Sequence, residues 1–421
     1  MSIEFNKLLD QVRKMGAMIS HLDFDMSDKL ALACDRLYAA DDLDVIRRKI
    51  AYVRGPEISG YRGAAPLEGP DAENLNWVYP PPSLPPHATL IASDGSQVYP
   101  NEQSPVHYYL LNIGMFVYQH GQDHVPQTIT LPMLAYHKDI VHDRNHLLIT
   151  NRTVDARRTV TEMQQLAQQA WKMHREGVRD PLVTLFDNQL LFWASADVTD
   201  GSKLLTDYWT GMGQLRDADA ILGGYVDNPA RSRQVLRLLY LLSLGDEADI
   251  KAHESQLASG GDLEGLRDMH LFDKVLEPGE RSAIMVQNSP RNLAYRQKNG
   301  SFEIAFFYVK VANGYKTAIA RIDIPMWVAR ERDSVNTLHA LILDQCQMQG
   351  RTPYPYALAR ADELALVSGQ DRRKLDELIR MELRKQGVEP GGAAPKLQSK
   401  RAARSDKRSF QSRPIRRAPS S

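Results

Sequence analysis

The order of strand-like and helix-like segments is the feature that most limits how this chain can fold. Three segments rich in β-branched and aromatic residues, at 88–94, 106–118 and 127–136, follow one another over short connections. A long segment at 152–177 has apolar residues at helical spacing, and an apolar run at 180–193 is typical of a buried strand. Short connections predict antiparallel neighbours, whereas a helical crossover predicts that the first and fourth strands lie side by side and parallel. The pattern therefore predicts an α/β fold built on a mixed sheet.

The remainder of the chain continues this alternation. Apolar runs predict further strands, and amphipathic spacing predicts helices between and after them. The predicted strands are 220–226, 282–287, 302–312 and 317–329, and the predicted helices are 202–217, 231–244, 334–348 and 355–386.

Composition divides the chain into four predicted parts. Residues 1–53 form an N-terminal helical extension of two amphipathic helices, which could cap the core or mediate dimerisation. Residues 54–87 are rich in Pro and Gly and predict a linker. Residues 88–388 form the core domain, and 389–421 form a disordered basic tail.

The zero formal net charge conceals an asymmetry between the tail and the remainder of the chain. Residues 391–421 contain nine Lys or Arg and one Asp, so the preceding residues carry a net charge of −8. A cationic tail suits polyanion binding, for example to nucleic acid, but solubilising tails of this kind are common. Both interpretations stay open.

Cysteine usage and hydropathy indicate the cellular setting. Cys34 and Cys346 cannot form a disulfide framework, and neither lies in a metal-ligand cluster. The N-terminus lacks the apolar core of a signal peptide, and no segment has the ~20 uninterrupted apolar residues of a membrane span. We therefore expect a cytoplasmic protein with no membrane anchor.

Three acidic residues fall where the predicted fold could bring them together. Asp94 ends the first strand, Glu162 lies on the crossing helix and Asp187 ends the fourth strand. The carboxyl ends of parallel strands share one crevice, the usual ligand position in an open sheet. Alternatively, Asp94 lies in an Asp-Gly turn, Glu162 is a solvated helix residue, and Asp187 forms an Asx-turn. Carboxylate oxygens are ligands for Mg²⁺ or Mn²⁺, and two such ions can activate a phosphodiester.

Several motifs extend this pattern into a resemblance to a known family. This order of strands and acids resembles the ribonuclease H-like superfamily. More closely, "LIASDGSQ", "RRTVTEMQQL", "TLFDNQLLF", "ILGGYVDNPARSRQVLRLL", "LEPGERSAIM" and "GRTPYPYALARADELALV" together resemble the NurA nuclease family over about residues 88–368. The resemblance implies a ribonuclease H-like mixed sheet flanked by helices, and a NurA-like nuclease domain at 88–388.

The resemblance also implies a function. It implies a metal-dependent DNA nuclease, with Mn²⁺ or Mg²⁺ as cofactor and with 5′-to-3′ exonuclease and single-strand endonuclease activity in DNA end resection. It further implies a homodimer that works with a HerA-type hexameric ATPase. The chain has no Walker-type phosphate loop, so ATP hydrolysis would come from that partner. The alternative is a non-catalytic adaptor of the same fold that docks on a ring ATPase.

The family's metal-binding acids match Asp94, Glu162 and Asp187 position by position. The family's late histidine falls on Asp362, which can also bind Mn²⁺ or Mg²⁺ but is poorly suited to act as a general acid near neutral pH. Asn188 stands where the family commonly has Gly. The catalytic and metal-binding set is therefore predicted to be Asp94, Glu162, Asp187 and Asp362.

Four other side chains are candidates for phosphate or DNA contact. Ser96 could bond a carboxylate or a phosphate, and Arg158 lies one helical turn before Glu162, where an i, i+4 ion pair is the simpler expectation. Tyr354 and Tyr356 could stack on bases, although aromatic residues beside Pro commonly pack at a helix start.

Overall fold

The computed structural model describes residues 5–102, 104 and 106–388, and within them one mixed sheet organises the helices. The strands are β1 (Ala64–Pro66), β2 (Val78–Tyr79), β3 (Ala88–Val98), β4 (Tyr109–His120), β5 (Gln127–Ala135), β6 (Leu182–Phe186), β7 (Ile221–Val226), β8 (Arg281–Ser282), β9 (Met285–Gln287), β10 (Ile304–Ala312) and β11 (Thr317–Pro325). The α-helices are α1 (Leu9–Tyr38), α2 (Leu43–Arg54), α3 (Lys138–Val141), α4 (Asn151–Arg175), α5 (Gly201–Asp217), α6 (Gln234–Ser243), α7 (Glu247–Ala252), α8 (Asp268–Val275), α9 (Pro290–Lys298), α10 (Met326–Ala329), α11 (Arg332–Gln347), α12 (Tyr356–Ala365) and α13 (Gly369–Lys385).

The sheet has the predicted topology from β3 to β7. Its order is β1-β9-β10-β11-β7-β6-β3-β4-β5, with β2 and β8 pairing off this path. The strands β3, β4 and β5 are antiparallel neighbours, whereas β6 lies parallel to β3 and β7 lies parallel to β6. The first and fourth predicted strands thus lie side by side and parallel, and the predicted α/β class with a mixed sheet flanked by helices is confirmed.

Alternating side chains attach helices to both faces of this sheet. On β3, Ile91 packs in the cluster formed with α4 and α5. Leu90 and Ala92 point the other way, into the cluster formed with α11 and α12. The two-residue period of a strand therefore sends odd-numbered β3 residues toward α4 and even-numbered residues toward α12.

The strand β3 is longer than its sequence suggests. It was expected to end at Asp94, but its pairing with β4 continues through Asp94 and Gly95 to Val98. Only the pairing with β6 stops at Ser93. The Asp-Gly-Ser segment is therefore extended strand and not a turn, because β4 supplies hydrogen-bond partners beyond the point where β6 ends.

Residues 54–87 are packed against the sheet, although their Pro and Gly content predicts a linker. The strands β1 and β2 lie in this segment and pair with β9 and β8. Both guanidinium nitrogens of Arg281 donate to the carboxylate of Glu73 over 2.8 Å, and the guanidinium lies 4.2 Å from the ring centre of Tyr79. Backbone pairing and one bidentate ion pair hold a segment whose composition is typical of a loop. The domain boundaries stay a prediction.

The N-terminal helices are also packed on the core over much of their length. Ala33, Leu37 and Ile46 are buried in a cluster with α6 and α8. Exposed apolar side chains occur nearer the start of α1, at Met15 and Met18 among others. The exposed apolar side chains of α1, which also include Leu32 and Tyr38, are the part of residues 1–53 to which the expected use at an intermolecular interface can apply.

The C-terminal helical region differs from prediction in one respect. The single helix expected at 355–386 is two helices, because Ser368 and Asp371 form a capping box that starts α13 after a break.

The expected disordered tail at 389–421 lies outside the described residues. Among the helices that are described, none combines the length and apolar character needed to cross a bilayer.

Truncating Ile46 tests whether α2 belongs to the core. Ile46 is 2% exposed, so Ile46→Ala should lower the free energy of unfolding by about 2–5 kcal/mol in urea denaturation. The control Val12→Ala changes a residue that is 55% exposed on α1 and should leave stability within about 0.5 kcal/mol. Equal effects of the two substitutions would contradict the packing described for α2.

Candidate functional site

Asp94 and Asp187 lie beside each other at the end of the β3–β6 pairing. The last paired residues are Ser93 and Phe186, and each acid is the next residue in its strand direction. Neighbouring strands are about 4.8 Å apart, so the two carboxylates start from adjacent backbone positions. Strand alternation sends both side chains toward the α12 face. The predicted convergence of these two acids follows from the parallel register.

Gly95 makes room for the third acid on the opposite face. A Cβ at Gly95 would lie 2.4 Å from Oε1 of Glu162, 2.9 Å from Cδ1 of Ile113 and 3.1 Å from Cγ of Arg158. The carboxylate of Glu162 therefore occupies the space that any larger residue would fill. Glu162 is 3% exposed, so it is not a solvated helix residue. Glycine is therefore required at this position for steric reasons. It does not serve the Asp-Gly turn that the sequence offered as the alternative.

Gly114 provides the corresponding space for the helix that carries Asp362. Gly114 is paired with Asp94 across the strands. A Cβ there would lie 2.4 Å from the carbonyl oxygen of Ala361 and 2.5 Å from the backbone nitrogen of Ala365. The helix α12 thus lies directly on β4, and the carboxyl of Asp362 hydrogen-bonds to that of Asp94. The structure therefore brings all four predicted acids to one region.

Burial and like charge change the proton affinity of these acids. Burial raises the pKa of Asp94 to about 7, and the nearby carboxylates of Asp187 and Asp362 contribute to the rise. Burial also raises the pKa of Glu162 to about 8, although the Arg158 guanidinium opposes that shift. Desolvation disfavours the charged form of a carboxyl, and a neighbouring carboxylate does so as well. The Arg158 guanidinium therefore compensates these buried carboxyls only in part.

Asp227 adds a further carboxylate that sequence reasoning missed. It directly follows β7, which lies parallel to β6, and burial raises its pKa. Burial raises the pKa of Asp187 too, and the carboxylates of Asp362 and Asp227 add to this shift. An acid immediately after the buried run "ILGGYV" was the available signal, the same one that identified Asp187. The three parallel strands β3, β6 and β7 thus each contribute one aspartate at or shortly after the end of their parallel pairing.

Tyr354 and Tyr356 have different surroundings. The hydroxyl of Tyr354 hydrogen-bonds to Asp187, which favours the ionised carboxylate, and its ring packs edge-on against Tyr225. Tyr356 begins α12 and its ring packs edge-on against Phe116. The expectation that Tyr356 packs at a helix start is met, whereas Tyr354 lies at the acid cluster.

Arg158 and Ser96 both make intramolecular contacts. The Nε of Arg158 lies 3.1 Å from Oε1 of Glu162, which is the expected i, i+4 ion pair. Its other nitrogen Nη1 donates to the carbonyl of Gly95 over 3.0 Å and to Oε1 of Gln97 over 3.1 Å. Ser96 donates its hydroxyl to the carbonyl of Ala365. Arg158 therefore holds Glu162 against β3, and Ser96 holds the end of α12.

The donor set fits a hard divalent cation. Carboxylate oxygens dominate the site, and the buried Oε1 of Glu162 has no hydrogen-bond partner. Across the residues described, no three His, Cys, Asp or Glu side chains lie close enough to hold an ion as they stand. Binding an ion would therefore draw these carboxylates closer together.

Comparisons with known proteins identify one family. The model of the NurA domain matches residues 88–367. The NurA nuclease from Sulfolobus solfataricus shares 14% identity and a TM-score of 0.45, over 91% of this chain and 98% of that one. NurA bound to dAMP and manganese shares 12% identity and a TM-score of 0.36, over 90% and 98%. NurA with manganese shares 13% identity and a TM-score of 0.33, over 72% and 91%. No curated protein sequence matches the chain.

Substitution of Gly95 tests the space required by Glu162. Gly95→Ala places a methyl group 2.4 Å from Oε1 of Glu162, so it should displace that carboxylate and lower stability by about 1–3 kcal/mol. The control Gly350→Ala introduces a methyl group with no neighbouring atom within 4 Å, and it should leave the melting temperature unchanged. A fully stable Gly95→Ala protein would contradict this account of the glycine.

The raised pKa values predict how stability depends on pH without metal. Asp94 and Glu162 hold protons in the folded state up to about pH 7 and 8, whereas the unfolded chain releases them near pH 4. The stability from these protonated acids is fully present below pH 4 and is lost as pH rises through the folded-state pKa values. Asp94→Asn should reduce the fall in melting temperature between pH 5 and 8, measured with EDTA present. The exposed control Asp139→Asn should leave that fall unchanged, and identical curves for both variants would contradict the prediction.

Proposed function

The chain belongs to the NurA family, since the family model matches more than half of it, and we propose that it is a metal-dependent deoxyribonuclease. One observation carries the proposal: Glu162 extends from α4 into the space left by Gly95, beside the Asp94 and Asp187 pair at the strand ends. A buried group of carboxylates of this kind is the expected ligand set for a cation that acts on a phosphodiester.

Asp94, Glu162, Asp187 and Asp362 would hold one or two Mn²⁺ or Mg²⁺ ions. When bound, such ions lower the pKa of a coordinated water and stabilise charge on the phosphoryl oxygens. Asp227 lies near enough to raise the pKa of Asp187 and would add negative charge to the same region.

The protein's own side chains would orient these ligands. Arg158 holds the Glu162 carboxylate through its Nε while its other nitrogen is bound to the β3 backbone. The Tyr354 hydroxyl hydrogen-bonds to Asp187 and opposes the rise that burial gives the pKa of that carboxyl. Asp362 lies where the family has a histidine, and it hydrogen-bonds to Asp94. A metal-binding role suits its carboxylate oxygens.

Family membership supports a proposal about the finer activity. We propose 5′-to-3′ exonuclease and single-strand endonuclease action on DNA ends, by a homodimer that works with a HerA-type hexameric ATPase in the cytoplasm. The chain has no phosphate-binding loop of its own, which is consistent with an ATPase partner. Exposed apolar residues near the start of α1, including Phe5, Val12 and Met18, are candidates for one of these interfaces.

A non-catalytic adaptor that docks on a ring ATPase is the second candidate. Its support is that Asp362 and Asn188 depart from the family pattern and that, within the described residues, no three of the acids lie close enough to hold an ion as they stand. The two functions differ in one measurable property, which is metal-dependent release of nucleotides from DNA.

Asp94→Asn separates the metal-ligand role from a structural one. Asparagine keeps the size of the side chain but removes an anion from the cluster, so cleavage of labelled single-stranded DNA with Mn²⁺ should fall by at least about 100-fold. Without metal the melting temperature should stay equal or rise, because fewer like charges are crowded together. The stabilisation that Mn²⁺ gives the unaltered protein should disappear.

Two controls decide between the functions. Asp139→Asn changes an exposed acid on α3 and should leave cleavage unchanged. Ser96→Ala should cost less than Asp94→Asn, because the Ser96 hydroxyl bonds to the Ala365 carbonyl. Absence of any EDTA-sensitive cleavage by the unaltered protein would favour the adaptor, and normal cleavage by Asp94→Asn would overturn the assignment of Asp94.

A further inference from the structure

The segment after Asp187 carries an exposed tryptophan, Trp193, a short distance along the chain from the acid cluster. Trp193 follows Asp187 by six residues, so the two lie at most roughly 20 Å apart. Its side chain is 41% exposed. A stacked single strand rises about 3.4 Å per nucleotide, so a strand in the crevice would reach this ring within about six nucleotides.

The loop that presents Trp193 is fixed to the core. The backbone nitrogen of Leu190 in this loop donates to Oδ2 of the buried Asp323 over 3.1 Å. The carbonyl oxygen of Leu190 accepts a hydrogen bond from the Tyr208 hydroxyl, also over 3.1 Å. The next turn is held by the Tyr295 hydroxyl, which donates to the carbonyl of Phe192 over 2.7 Å. Trp193 is therefore an exposed ring on an ordered support.

The helix α9 adds two cations beside aromatic rings. The guanidinium of Arg291 lies 5.9 Å from the ring centre of Trp193, and Nζ of Lys298 lies 5.7 Å from that of Trp209. The two cations are seven residues apart, which on a helix is about two turns on one face and about 10.5 Å along the axis. In the part of the chain that the structure describes, neither cation has a carboxylate within ion-pair distance.

We propose that Trp193, Arg291 and Lys298 form a strip that binds single-stranded DNA next to the acid cluster. The Trp193 ring stacks on a base, and the two cations contact phosphates of the same strand. Aromatic platforms alternating with cations are the usual means of binding single strands without sequence preference. The inference rests on the proposed nuclease function, for which it supplies a substrate-binding surface.

Binding of a fluorescein-labelled oligo(dT) of about 20 nucleotides tests the strip. Anisotropy is measured with EDTA present, so that the full chain binds without cleaving. Trp193→Ala should weaken binding by about tenfold, the loss of roughly one stacked base, and Trp193→Phe should restore most of the affinity. The matched control Trp171→Ala removes a ring that is 40% exposed and stacked on His174 near the end of α4, and it should have no effect.

The cations are tested through salt dependence. Combining Arg291→Ala with Lys298→Ala should reduce the slope of log affinity against log salt by about 0.7 for each phosphate that the protein no longer neutralises. An unchanged slope, or equal weakening by Trp193→Ala and Trp171→Ala, would overturn the proposal. Circular dichroism and melting temperature establish that each variant is folded, and Trp193→Phe keeps the test decisive where the alanine variant is not folded.

A small substrate separates this inference from the proposed function. Bis(p-nitrophenyl) phosphate with Mn²⁺ contains a phosphodiester but is too short to reach the strip. Its hydrolysis should be unchanged in Trp193→Ala, while cleavage of the oligonucleotide requires a higher substrate concentration. If the unaltered protein cleaves neither substrate, the nuclease proposal fails, and oligo(dT) binding still decides whether the strip exists. If Trp193→Ala lowers hydrolysis of the small ester as much as that of DNA, the strip is not a separate binding surface.

Discussion

The close approach of two helices to two neighbouring strands is the constraint on which this site depends. Gly95 on β3 and Gly114 on β4 lie on either side of Asp94, one along the strand and one across it. Each leaves a space that a Cβ would fill, with atoms 2.4 Å away in both cases. The Glu162 side chain of α4 occupies the space beside Gly95. The backbone of α12 around Asp362 occupies the space beside Gly114. Without both spaces, the two faces of the sheet could not bring their acids to the same strand end.

Assembling these acids costs stability and prepares the site for a cation. Burying carboxylates without full compensation disfavours their charged forms, and the raised pKa values of Asp94 and Glu162 record that cost. Arg158 offsets part of it at Glu162, yet its Nε and the Glu162 Oε1 lie 3.1 Å apart without forming a hydrogen bond. A bound cation would therefore stabilise the folded state. It would be held by the same carboxylates that the proposed chemistry requires.

The sequence predicted those parts of the structure that depend on local pattern. Strand order and the positions of Asp94, Glu162 and Asp187 follow from periodicity, motif order and the rule that parallel strand ends share a crevice. What it did not predict depends on partners that are distant in the chain. Residues 54–87 pack because Arg281 lies opposite Glu73, and Gly95 is required by a residue on α4. A Pro-rich composition or an Asp-Gly pair carries no information about such partners.

A single buried ion pair connects the acid cluster to the surface that follows it. Arg321 donates to Asp323 over 2.7 Å, and Asp323, fully buried on β11, also accepts from the backbone of Leu190. That contact directs the chain after Asp187 back over the sheet toward α9. Removing either partner would leave an uncompensated charge in the core, which commonly costs about 3–5 kcal/mol. The core that aligns β6 with β3 therefore also fixes the backbone that carries Trp193.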